Sequence, residues 1–132
     1  MPNPTCPHCG TAIEEHEAGR CLDAWVAETV MGWKWLPTPD PERRGEYHCW
    51  VEDGCEIGDF EPSADMAAAW EVVERMNSRG FWSDASRDPT GYVCCAFDSG
   101  KRVFISPKKT KDMPLAICRA AILATSATKE NT

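Results

Sequence analysis

No apolar run in this sequence approaches the roughly 20 residues that a membrane-spanning helix needs; the longest, 92–97 and 120–124, fall far short. The first ten residues, MPNPTCPHCG, hold no basic cap followed by an apolar stretch. No secretory leader is read there, and the expectation is a cytoplasmic protein. Positive charge is scarce too: 14 Lys and Arg against 21 Asp and Glu leave a net charge of −7. Broad nucleic-acid binding is disfavoured, because no general field draws phosphates. A glycine-rich phosphate loop is missing, and none of the three histidines, His8, His16 and His48, stands beside a Ser or Cys in a triad or nucleophile-elbow context. Paired acids such as Glu14 with Glu15 or Glu71 with Glu74 solvate a surface unless they converge on a pocket, which spacing alone does not show. The chain is therefore not expected to be an enzyme.

What is present builds a core. With 132 residues, 42% of them hydrophobic, and six Trp, about two thirds of the unfolded surface can be buried in one domain. Eight cysteines are many, but disulfide frameworks belong to secreted chains too small for a core of their own. Reduced thiols are expected, some packed as small hydrophobes and some bound to metal. Cys94 and Cys95 are neighbours in a strand-like run, so they point to opposite faces and do not pair with each other.

Cys6-Pro7-His8-Cys9-Gly10 has the form of a zinc knuckle: two thiols two residues apart in a tight turn, with Gly10 supplying backbone freedom. Tetrahedral zinc needs two more ligands. A local set, His16 and Cys21, gives Cys-x2-Cys-x6-His-x4-Cys; a distant set, Cys49 and Cys55, gives a ribbon-like pair with a wide gap. The local set needs no long-range closure and is placed ahead. Either would close the coordination sphere, so the zinc is expected to be structural.

Charge is unevenly spread. Residues 1–61 carry 13 acids and 4 bases, while residues 62–132 carry 8 acids and 10 bases. Lys101, Arg102, Lys108 and Lys109 lie in one short stretch and, with Lys34 and Trp35, form a candidate site for a small nucleotide-like anion. The plainer role for those bases is a solvated loop, and for the tryptophans, Trp50 and Trp82 included, core packing.

Apolar spacing predicts helices over 21–31, 64–79 and 114–126, with Gly32 capping the first, Ser63 opening the second, and Met66, Ala69, Trp70, Val73 and Met76 as the second's buried stripe. Glu71 and Arg75 are spaced as an i,i+4 pair on its other side. Residues 36–45, with three prolines, read as an irregular loop. Short strands are expected over 47–51 and 55–59, then an antiparallel meander over 81–86, 92–97 and 102–106. Both alternating sets of YVCCAF are apolar, so both faces of that sheet are expected to be covered. The fold class is α+β: a three-layer α/β/α sandwich with an antiparallel β-meander and about three helices. Residues 1–20 are expected to be an appended Cys-rich segment, 21–126 the sandwich domain, and 127–132 a fraying polar tail.

The segments CLDAWVAETVMGWKW (21–35), SADMAAAWEVVERM (63–76), GYVCCAF (91–97) and PLAICRAAIL (114–123) resemble, in matching order, the phage ABA sandwich domain, a family of small phage-encoded proteins. The similarity spans roughly 21–125. It implies the same α/β/α sandwich and a bacterial host cytoplasm, and it brings neither an activity nor catalytic residues. The functional expectation is an accessory protein that binds a host or phage macromolecule; a small anionic ligand is the alternative.

Overall fold

A computed structural model describes residues 3–40 and 45–130, with the side chains of 38–48 and 128–130 outside that description. After a single 3-10 turn (Ile13–Glu15), α1 spans Arg20–Val26 and widens into a π-helical turn over Ala27–Met31. Gly32 ends it in the left-handed region, φ 75°, the conformation glycine adopts without penalty. A first sheet follows, built of β1 (Lys34–Asp40), β2 (Gly45–Glu52) and β3 (Cys55–Ile57), antiparallel in that order. Then come α2 (Met66–Ser78), a second antiparallel sheet of β4 (Trp82–Arg87), β5 (Val93–Asp98) and β6 (Val103–Ile105), and α3 (Met113–Glu130). Among the described residues, three helices and two three-stranded antiparallel sheets make an α+β fold, consistent with an α/β/α sandwich domain.

The proline-rich stretch corrects the expectation of a loop. Residues 36–40 continue β1, with Pro37 opposite His48 and Pro39 opposite Glu46; residues 41–44 lie outside the described ones. β1 is an edge strand, and the two prolines fall on the same alternating set of positions. An edge strand has one set of amides without a ladder partner, so that set tolerates proline. The β2–β3 turn uses Asp53 (φ 50°) and Gly54 (φ 80°), the left-handed pair that a two-residue hairpin demands.

Helix α2 forms where its periodicity predicts, but rotated. Ala68, Ala69, Val72, Val73 and Met76 are buried, while Met66 and Trp70 are exposed. Its cap is Asp65, whose side chain accepts from the Ala67 amide. Ser63 does other work: it is fully buried, its hydroxyl accepts from the Gly19 amide at 3.0 Å, and its amide donates to Asp23 at 2.8 Å. Arg75 reaches past Glu71 to pair with Glu52 at 2.7 Å and to donate to the Met31 carbonyl.

Helix α3 is buried on all sides from Leu115 to Ile122 and touches α1, α2, β5 and β6. Its alanines and Cys118 let the neighbouring elements approach closely. It continues to Glu130, past the predicted end at 126; residues 131 and 132 lie outside the described ones. Val93, Cys95 and Phe97 of β5 face this core, whereas Cys94, Ala96 and Asp98 on the opposite face are half-buried and β4 is exposed along its length. The covering of the second sheet is thus unequal. From the segment expected to be appended, Cys6 and Ile13 are buried in the hydrophobic core cluster. Of the two tryptophans expected to pack in the core, Trp50 on β2 is half-buried and packs against the cluster, while Trp82 on β4 is exposed. Among the described residues no helix is long and apolar enough to cross a membrane.

Candidate metal centre

The knuckle is a miniature hairpin. The Cys6 amide donates to the Thr11 carbonyl and the Gly10 amide to the Cys6 carbonyl, both at 2.9 Å, and the Ile13 amide donates to the Pro4 carbonyl at 3.0 Å. Gly10, at φ 77°, turns the chain. The His8 amide faces the Cys6 sulfur at 3.4 Å, the backbone-to-sulfur contact that lowers the charge on a ligating thiolate. Past the 3-10 turn the chain returns His16, and the first turn of α1 brings Cys21. Their donor atoms meet those of Cys6 and Cys9, all four lying within 4.8 Å of one another.

The set fits a tetrahedral ion. Zinc holds sulfur at about 2.3 Å and imidazole nitrogen at about 2.0 Å, which sets donor separations of roughly 3.5–3.8 Å. Cys6 Sγ to Cys21 Sγ is 3.5 Å, as is Cys9 Sγ to His16 Nε2. His16 is oriented for the purpose: its Nδ1 lies 2.9 Å from the Glu17 carbonyl, which can only accept. That nitrogen therefore carries the proton and Nε2 offers its lone pair toward the thiols. Trp25 stands beside the ring, with centroids 5.9 Å apart.

The thiols are unequal. Hydrogen bonding with the Thr11 side chain, then with its backbone, holds Cys9 down to about 6. Burial, reinforced by hydrogen bonds and charge from Cys6 and Cys9, pushes Cys21 up to about 12. The metal-free cluster thus keeps a proton on Cys21, which a divalent cation would displace.

Cys49 and Cys55 stand on the first sheet, outside this cluster, with Cys49 buried and Cys55 exposed. The anion-site residues are divided between the two halves of the fold. Lys34 and Trp35 open β1, while Lys101, Arg102, Lys108 and Lys109 flank β6. Lys108 pairs with Glu15 at 2.9 Å, Arg102 lies 5.0 Å over Phe104, and Lys109 lies 5.8 Å over Tyr92.

Sequence reasoning missed Arg119. It is buried in α3, and its Nε and Nη2 donate to the His16 carbonyl. The available signal was a single charge inside the apolar string PLAICRAAIL. His8 was also missed as a tie: its Nε2 lies 2.6 Å from Glu28 of the π-helical turn.

Phage ABA sandwich domains match residues 24–122. All four candidate ligands precede that segment. The crystal structure of a phage protein from Bacillus cereus ATCC 14579 has a similar fold, with a TM-score of 0.61, 16% identity, and coverage of 83% of this chain and 94% of that one. None of the curated proteins matches the chain.

Proposed function

Since the chain belongs to the phage ABA sandwich domain family, we propose that it is a non-catalytic phage accessory protein of the bacterial host cytoplasm, in which a structural zinc ion stiffens a surface that binds a macromolecule. The observation that carries this reading is the convergence of Cys6, Cys9, His16 and Cys21 within 4.8 Å. Three thiols and one imidazole are a structural zinc set, and four protein ligands leave no open position for a reacting water. The half of the sequence that holds the centre, residues 1–61, carries 13 acids against 4 bases, which favours a basic partner. The alternative reading, a nucleotide-like anion, has less support, because the bases it needs are split between two sheets.

Elemental mass spectrometry of the untagged protein tests the zinc. The expected result is about one zinc per chain, lost in Cys21→Ser and kept in Cys55→Ser, as a four-ligand site requires. A parent protein without metal, or one whose metal depends on Cys55, overturns the reading.

A further inference from the structure

Between α1 and the first sheet runs a cleft of about 710 Å³. One wall is aromatic: Trp35 and Trp50 meet edge to face with ring centroids 4.9 Å apart, and Trp35 is 53% exposed. The other feature is negative charge from separate elements, with Glu28 on the helical side and Asp59 and Glu61 on the segment after β3. Asp23 also lines the cleft and is different in kind, since it is 6% exposed. Its Oδ1 accepts from the Ser63 amide, and among the described residues no ion pair involves it. Its burial leaves the carboxylate group poorly solvated. Among the described residues that line the cleft, Arg20 is the one permanent cation.

Aromatic faces attract cations through their quadrupole, and carboxylates beside them supply the matching charge. The same surroundings repel phosphates. Asp23, a buried carboxylate in no ion pair among the described residues, is a group that a bound guanidinium or ammonium would complement. The volume exceeds that of one such group several times over, which leaves room for the chain that bears it. We propose that this cleft binds an arginine or lysine side chain presented by a basic, unstructured segment of a partner protein. The proposal rests on the reading above that this face binds a macromolecule, and it names the partner's chemistry. The knuckle adjoins the site, because His8 both lines the cleft and contacts Glu28 at 2.6 Å.

The test is isothermal titration calorimetry of the full chain with a Gly/Ser peptide carrying two arginines, with zinc content measured on the same sample. Saturable binding is expected, weakened about tenfold or more by about 0.5 M NaCl and by Trp35→Ala or the double change Asp59→Asn, Glu61→Gln. These three positions are exposed, and circular dichroism checks that the variants fold. A peptide with Gln in place of Arg should not bind. No saturable binding, or variants that bind like the parent, overturns the proposal. Spermidine binding more tightly than the peptide overturns the assignment to a protein partner. Zinc present without peptide binding rejects the cleft and leaves the metal centre standing, whereas peptide binding without zinc does the reverse.

Discussion

The guanidinium of Arg119 holds the carbonyl oxygen of His16 with two hydrogen bonds, from Nε at 3.2 Å and Nη2 at 2.8 Å. The two residues lie 103 positions apart, and Arg119 is only 3% exposed. Helix α3, the element packed against most of the fold, thereby fixes the backbone of a candidate metal ligand whose ring is oriented through Nδ1 by Glu17. This side chain ties the candidate metal loop to α3.

Arg119→Met should weaken both. The His16 carbonyl would lose its two donors while still buried, at a cost of about 1–3 kcal/mol, or roughly 3–9 °C in melting temperature for a domain of this size. Zinc affinity should fall about 10–100-fold, as when a partner that orients a ligand is removed. Thermal melting and competition with a chromophoric chelator measure the two effects. A folded variant with parental zinc affinity would show that the clamp serves the core alone.

Ile13→Ala examines whether residues 3–20 are integral to the fold. Ile13 is fully buried within the central cluster, and truncating such a residue costs about 2–5 kcal/mol. The midpoint of thermal unfolding should drop by roughly 6–15 °C. An unchanged midpoint would return the segment to the status of an appendage.

Helices were legible in the sequence because apolar spacing is local: Gly32, the run 66–78 and the PLAICRAAIL string announce themselves without knowledge of the fold. The meander was legible for the same reason, through its turn residues. The strand through Pro37 and Pro39 was not, because local propensity argues against it and only its edge position permits it. Trp70 and Met66 were read as buried since a helical wheel cannot tell which of two adjoining stripes meets a neighbour. The four candidate metal donors were readable as a local set. The Arg119 clamp and the acidic cleft join residues far apart in sequence, and no spacing rule reaches them.

Asp23→Asn should stabilise the protein at neutral pH. Burial, with a smaller contribution from the Glu61 charge, raises the Asp23 pKa above its ordinary 3.8, against the hydrogen bonds of Ser63. The folded state therefore binds this proton more tightly than the unfolded chain does. Stability is lost as pH rises from the ordinary value through the raised one, and stays lost above it. Asparagine keeps an acceptor for the Ser63 amide without the charge. Urea unfolding across pH should show the variant's advantage at pH 7 and its disappearance below about pH 4. A variant equally or less stable at pH 7 would mean that the carboxylate's charge is compensated within the folded chain.

Thiol reactivity should separate the cysteines by environment. Cys9 is exposed and held near 6 by Thr11, so in chelator-treated protein at neutral pH it is mostly thiolate, the form that attacks an alkylating agent. Cys95 is pushed to about 12 by burial and Cys118 well above the ordinary thiol range by the same cause. Brief iodoacetamide treatment followed by peptide mass mapping should therefore label Cys9 early and leave Cys95 and Cys118 unlabelled until the chain is denatured. Zinc added beforehand should slow labelling of Cys9 by about tenfold or more, because coordination occupies the same lone pair. It should leave the exposed Cys55 as reactive as before. Equal protection of Cys9 and Cys55 would place the metal across both segments and contradict the local four-ligand set, whereas protection confined to Cys6, Cys9 and Cys21 is what the geometry of the knuckle and the start of α1 requires.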